Sequence, residues 1–189
     1  MAKSGYHHGD LRATILAAAA EQIAAEGLDA VSLRGLARRA DVSHAAPAHH
    51  FGDRAGLLTE LAIEGFGLLA AQLAAAGGDF REVAVAYIRF AREYPGHFDV
   101  MFRRDVLRAD DQRLADARTA AGDALRSGVA LQQPDGTPEH QRSTRLAAWS
   151  LVHGFASLWR EGALGDSSLG NPSDPEAMAR NMIATVAFE

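Results

Sequence analysis

The sequence predicts an all-α protein, and three observations carry that prediction. Alanine (39 residues) and leucine (20) lose least on entering a helix, and they stand against only 20 residues of valine, isoleucine and threonine combined. Apolar residues recur at steps of three and four over most of the chain, the spacing of one helix face. Capping residues and glycine or proline breaks divide that pattern into segments of ordinary helix length. At 189 residues the chain corresponds to a little over one domain of roughly 150 residues, and it can bury enough surface to fold without a metal or disulfide.

Composition also narrows the function classes. Cysteine is absent, which removes disulfide frameworks, thiolate zinc sites, iron–sulfur clusters and thiol nucleophiles together and fits a reducing cytoplasm. The net charge of −5 comes from intermixed acids and bases, with no block of one sign. The most signal-like stretch, Ala13 to Ala25, follows Asp10 and is broken by Glu21 and Gln22, so it lacks the form of an export signal. No segment approaches the roughly 20 apolar residues of a membrane span. A cytoplasmic protein with no membrane partner is expected.

Element by element, Asp10 is read as the cap of a helix over 10–26 with Leu11, Ile15, Ala18, Ala19 and Ile23 on one face, ended by Gly27 and Leu28. Ser32 caps a second, short helix with Leu33, Leu36, Ala37 and Ala40. After Asp41-Val42, Ser43 is read as the cap of a third helix running through His50. Asp53 opens a fourth helix to about Ala76, with Leu57, Leu58, Leu61, Phe66, Leu69 and Leu73 on its apolar side and Gly77-Gly78 at its end. Phe80, Val83, Tyr87, Phe90 and Tyr94 mark the next helix, stopped by Pro95-Gly96, and Phe98, Met101 and Phe102 form a shorter apolar set. Leu114 to Leu131 is helical again. From Leu146 to Trp159 the helix over 139–161 is apolar or small nearly all round, so it needs cover on every side, and a second copy of the chain is the natural cover for part of it. Asp174-Pro175-Glu176 opens a last helix carrying Met178, Met182, Ile183 and Val186. The total is about nine helices.

Two short helices joined by a tight turn and braced by a longer one match the helix-turn-helix, whose second short helix enters the DNA major groove. Residues 6–60 resemble the TetR family of transcriptional regulators. The matching pieces are Ile15-Leu16-Ala17-Ala18-Ala19, Glu26-Gly27, Val31-Ser32-Leu33-Arg34-Gly35-Leu36-Ala37, Ala40-Asp41-Val42-Ser43, His50-Phe51, and Asp53-Arg54 with Leu57-Leu58. Trp149, His153-Gly154 and the preceding Pro95, Phe98, Met101 and Phe102 resemble one C-terminal subclass with a tryptophan, histidine-glycine signature. The resemblance implies a helix-turn-helix domain over 1–55, connected through the helix 53–76 to a ligand-binding and dimerisation domain over 56–189. It implies double-stranded operator DNA, a second copy and a small effector as partners, with no cofactor. Two positions depart from the family: Ala48 stands where a phosphate-touching tyrosine is usual, and Arg54 where a lysine is usual. Pro47 falls in or just past the first turn of the third helix, where it removes at most the earliest hydrogen bond.

Over residues 1–55, Lys3, Arg12, Arg34, Arg38, Arg39 and Arg54 are balanced by Asp10, Glu21, Glu26, Asp29, Asp41 and Asp53, so DNA binding must rest on placed contacts more than on bulk attraction. The candidates for phosphate are the backbone amides at the N-termini of helices two and four with the Ser32 hydroxyl. Arg54, which keeps the charge of the family's lysine, is a further DNA contact, Arg34 is the candidate for a guanine, and Ser43, His44, Ala45, Ala46, His49 and His50 lie along the groove-entering segment. None of the latter is an arginine, lysine, asparagine or glutamine, so direct base reading is expected to be sparse. Phe66, Tyr87, Phe90, Tyr94, Phe98, Met101, Phe102, Trp149 and His153 are the candidate effector residues, since such sites are apolar with a few polar groups; ordinary core is the alternative for each. The family's dimer interface uses the last two helices, which places Leu151, Phe155, Leu158, Met178, Met182 and Val186 there.

Rival readings are weaker. His44 and His49 lie about 140° apart around a helix and diverge, unlike a helical zinc pair, and no Glu-x-x-His unit, phosphate loop or nucleophile elbow occurs. No catalytic residues and no metal are expected. The expected function is a homodimeric DNA-binding regulator, a repressor released by a small apolar or amphipathic effector. The alternative is an all-α interaction module without sequence-specific DNA binding.

Overall fold

The structure, a computed structural model, describes residues 8–130 and 137–186 apart from 166, 167, 169, 170 and 172. Among them are nine α-helices and no strand: α1 (His8–Glu26), α2 (Leu33–Arg39), α3 (Ala46–Phe51), α4 (Arg54–Ala75), α5 (Phe80–Glu93), α6 (Pro95–Met101), α7 (Gln112–Ala130), α8 (Pro138–Arg160) and α9 (Pro175–Ala184). A 3-10 turn at Leu28–Ala30 joins α1 to α2. The chain packs as two compact units, Met1–Gly65 with Tyr94–Asp116, and Phe66–Glu93 with Ala117–Glu189. The first is larger than the 1–55 segment expected from the sequence, because α6 packs on α1 and the 3-10 turn and brings the following loop with it.

Local capping sets most boundaries. Ser32 Oγ accepts the Gly35 amide, Asp53 Oδ1 the Gly56 amide, and Asp174 Oδ1 the Ala177 amide, each satisfying an N–H that the first helical turn leaves open. Gly27 takes φ +85° where α1 ends. Two starts differ from expectation. Helix α1 already includes His8, so Asp10 lies within its first turn and does not cap it. The other concerns Ser43: its carbonyl accepts the Ala46 amide at 3.0 Å and its hydroxyl the Ala45 amide at 3.2 Å, closing a turn, and α3 begins only at Ala46. Leu131, the expected last apolar residue of α7, lies outside the described residues.

In the first unit, Ile15, Ala19 and Ile23 of α1, Leu36 and Ala37 of α2, Phe51 of α3, and Leu57, Leu58 and Leu61 of α4 are all buried and form its core. In the second, Val83, Tyr87 and Phe90 of α5 lie at the centre, with α8 and α9 packed against that helix. Helix α4 corrects one expectation, because by length and hydropathy alone it could cross a membrane. Its Leu57, Leu58, Leu61, Phe66, Leu69 and Leu73 are buried within the protein, which is the signature of a core helix.

Candidate nucleic-acid interface

The helix-turn-helix is built by α2, the turn 40–45 and α3, with α2 packed on α3 and both on α1. The turn depends on Asp41, the only non-glycine among the described residues with positive φ (51°), a conformation the short Asp side chain tolerates better than most. It lets the Val42 amide donate to Ala37 O at 3.0 Å and reverse the chain. Pro47 and Phe51 are the buried anchors of α3. Ser43, His44, Ala45, Ala48 and His49 are exposed, Ala46 and His50 half-buried, and Arg34 stands exposed on α2. The sequence-predicted reading residues are thus brought to one short, mostly uncovered segment. His50 is the partial exception: its ring leans on Phe51, with centroids 6.1 Å apart, and it lines a recess of about 300 Å³ with Arg108 and Arg113.

Arg54, expected among the DNA contacts, is engaged within the protein. Its Nε donates to Val31 O at 3.0 Å and its Nη2 to Leu28 O at 2.8 Å, so the guanidinium staples the start of α4 to the link before α2. Ser32, whose hydroxyl caps α2, and Arg34 are both exposed at the start of that helix. Asp53, just before Arg54, is held below the ordinary carboxylate range by the Gly56 amide and by Arg108, so it stays charged at the α3–α4 corner.

Comparison with known proteins agrees with this geometry. Residues 15–61 match the bacterial regulatory proteins of the tetR family, and residues 80–186 match the tetracyclin repressor-like C-terminal domain. The chain belongs to the TetR family. It is 32% identical to a protein of unknown function from Rhodococcus sp. RHA1, covering 95% of this chain and 96% of that one with a TM-score of 0.75. A transcriptional regulator from the same organism is 25% identical, covering 93% and 95% at a TM-score of 0.66. The fold is also shared with the TetR-family regulator PfmR of Thermus thermophilus, at 22% identity, coverage of 89% and 93%, and a TM-score of 0.66. No curated protein matches the sequence. The TetR-family chain is therefore a DNA-binding transcriptional regulator and not an enzyme, and the reading as an interaction module without DNA binding gives way. Among the described residues no group of three or more His, Asp or Glu could hold a metal.

The regulator's candidate effector residues divide between its two units. Tyr94, Phe98, Met101 and Phe102 belong to the first, Phe66, Tyr87, Phe90, Trp149 and His153 to the second. Phe90, Met101, Tyr87, Phe66 and Phe98 are packed as core. Three of the second group form a polar cluster that the sequence did not pair: Tyr87 Oη lies 2.9 Å from His153 Nδ1, and the Trp149 indole N–H donates to the same phenol. An indole donating to the phenol oxygen, whose own proton goes to Nδ1, satisfies all three groups at once. Burial pushes the Tyr87 phenol up and the His153 imidazole below its ordinary 6.5, so both are neutral at physiological pH. The sign of the consequence is fixed. The unfolded chain takes up a proton at His153 more readily than the folded one, so this group's stabilising contribution is full above pH 6.5 and is lost as pH falls through the depressed folded value. Denaturant titrations followed by tryptophan fluorescence at pH about 7.5 and about 5.5 should show that loss, reduced in His153→Gln; an unchanged pH dependence in the variant would remove His153 from the account.

Two groups escaped the sequence reading. His97 in α6 is 9% exposed, its Nε2 has no hydrogen-bond partner and lies 3.7 Å from Glu64 Oε2, and burial holds its imidazole down against the pull of that carboxylate. Arg108 in the α6–α7 loop reaches the α3–α4 corner. A loop residue carries no periodic signal, and only its distant partners mark it. The expected dimer residues separate as well. Leu158 and Val186 are exposed, Leu151, Met178 and Met182 half-buried, whereas Phe155 is 8% exposed and forms the floor of a groove of about 500 Å³ between α8 and α9.

Proposed function

We propose that this regulator is a homodimeric, cytoplasmic repressor that binds operator DNA through α3 and the start of α2 and is released by a small apolar or amphipathic effector. The observation that carries the dimer is the uncovered apolar surface of the last two helices: Leu146 is 61% exposed, Leu158 45%, Trp149 38% and Val186 36%. Leu146, Trp149 and Leu158 lie on α8 and Val186 just past the end of α9, two helices that pack on each other. A Cβ on Gly154 would meet nothing, which leaves room there for the close approach of a second helix. A two-fold pair through this face gives two reading heads, which operator DNA meets as two half-sites. The neutral Tyr87–His153–Trp149 cluster, which runs from the buried Tyr87 through the half-buried His153 to the exposed Trp149, supports an effector that is largely apolar with one or two hydrogen-bonding groups.

Within each head, Arg34 is the base reader and Ser32 the phosphate anchor, while Ser43, His44, Ala45, Ala46 and His49 supply groove contacts too small for bidentate recognition. Gel-shift assays with DNA from beside the protein's own coding region test the reading: a sequence-selective shift by a dimer supports it, and a uniform shift on all DNA counts against it. In the same assay Arg34→Ala should relax selectivity at one base position per half-site, a discrimination of about 1–3 kcal/mol. Equal losses on selected and random DNA would make Arg34 a phosphate contact.

A further inference from the structure

We propose that Arg108, far outside the helix-turn-helix in sequence, is a positioning residue for DNA binding, buckling the α6–α7 loop onto the corner where the recognition helix α3 turns into α4. Two bonds make the buckle. The main-chain N–H of Arg108 donates to Thr59 Oγ1 at 2.9 Å, and Thr59 is 1% exposed, with its own hydroxyl donating to Ala55 O at 2.7 Å. The guanidinium Nη2 donates to Asp53 Oδ1 at 3.1 Å, the same oxygen that accepts the Gly56 amide and caps α4.

The guanidinium lies close over the two glycines of the corner: a Cβ built on Gly56 would strike the Phe51 carbonyl oxygen first and would also lie 3.1–3.2 Å from the Arg108 guanidinium, and one on Gly52 would lie 3.4 Å from it. Gly52 also needs its φ of +77° to end α3. A second arginine, in the first turn of α7, extends the grip: Arg113 Nη2 pairs with Glu60 Oε1 at 2.6 Å, Glu60 also holds Arg12, and Arg12 sits 5.8 Å above the ring of Phe51, the last residue of α3. The recognition helix has six residues and no side-chain cap at its start. A helix that short does not set its own direction, so its orientation depends on what holds its ends. The C-terminal end is held by a loop that joins it only through tertiary contacts.

The Arg108–Asp53 pair is largely exposed, 44% and 64% by side chain, and exposed ion pairs contribute little to folding. Base contacts, by contrast, tolerate misplacement of only about 0.5 Å. Loss of the buckle should therefore appear in selectivity more than in stability. The test uses the full-length protein and a duplex selected by it from a randomised pool, titrated against random duplex over a range of salt. Arg108→Ala should lower affinity for the selected duplex about tenfold, the size of one impaired base contact, with random-duplex affinity and salt slope unchanged. Thr59→Val, which changes no charge, should act in the same direction, whereas Thr59→Ser should retain wild-type selectivity and Arg108→Lys most of it. Hydrogen exchange over 44–53 should quicken in both weakened variants. Equal losses on the two duplexes with a shallower salt slope would make Arg108 a plain phosphate contact and overturn the proposal. Unchanged selectivity in Thr59→Val would overturn it too, and that variant decides if Arg108→Ala fails to fold.

Discussion

Gly96→Ala is expected to destabilise the protein by about 1–3 kcal/mol, although helix propensity alone would have it stabilise α6 by about 1 kcal/mol. The sign follows from space. A Cβ on Gly96 would stand 2.8 Å from the carbonyl carbon of Ala20 and 2.9 Å from its Cα, and closer still to the carbonyl oxygen. These are backbone atoms of α1, so relief requires α6 to move as a body. Gly65 provides an internal comparison: its Cβ would meet Met101 Sδ at 2.7 Å and His97 Cβ at 3.0 Å, and the thioether of Met101 can swing away. Gly65→Ala should therefore cost less than Gly96→Ala in denaturant unfolding. An unfolding midpoint for Gly96→Ala at or above that of the wild type would mean that α6 is not wedged against α1.

Leu158→Glu should leave the helix content and folding stability of the single chain nearly unchanged, since the residue is already 45% exposed, yet convert the proposed dimer to monomer in sedimentation experiments. Operator affinity should fall by roughly a hundredfold or more, because each head then binds without the effective concentration that its tethered partner provides. A wild-type protein that sediments as a monomer, or a variant that stays dimeric, would take the dimer off the α8–α9 face.

What was legible in the sequence is what local chemistry determines. Ser32, Asp53 and Asp174 each bond an amide three residues on, and each was readable as a cap. The apolar step of three and four from Phe80 to Phe90 placed α5 because a helix face needs no knowledge of its neighbours. What failed was choice of partner. The charge of Arg54 was visible, but the carbonyls that claim it belong to Val31 and Leu28, 23 and 26 residues earlier. Ser43 has the chemistry of a cap, yet the Ala46 amide takes its main-chain carbonyl and the helix starts later. Aromatic periodicity marked Tyr87, Phe90, Phe98 and Met101 as inward-facing without telling tight core from effector contact. Arg108 and His97 gave no sequence signal, since their roles come wholly from residues of distant segments.

The division of the chain into discontinuous units has a practical consequence for hybrid regulators. The polypeptide passes between the units within α4, between Glu93 and Tyr94, and within α7. A chimaera that grafts only the N-terminal portion onto a foreign sensor would leave behind the wedge of α6 and the Arg108 buckle, both encoded some thirty or more residues further along. Transplanting the DNA specificity of this protein therefore calls for exchanging two stretches of gene, the second covering residues 94–116.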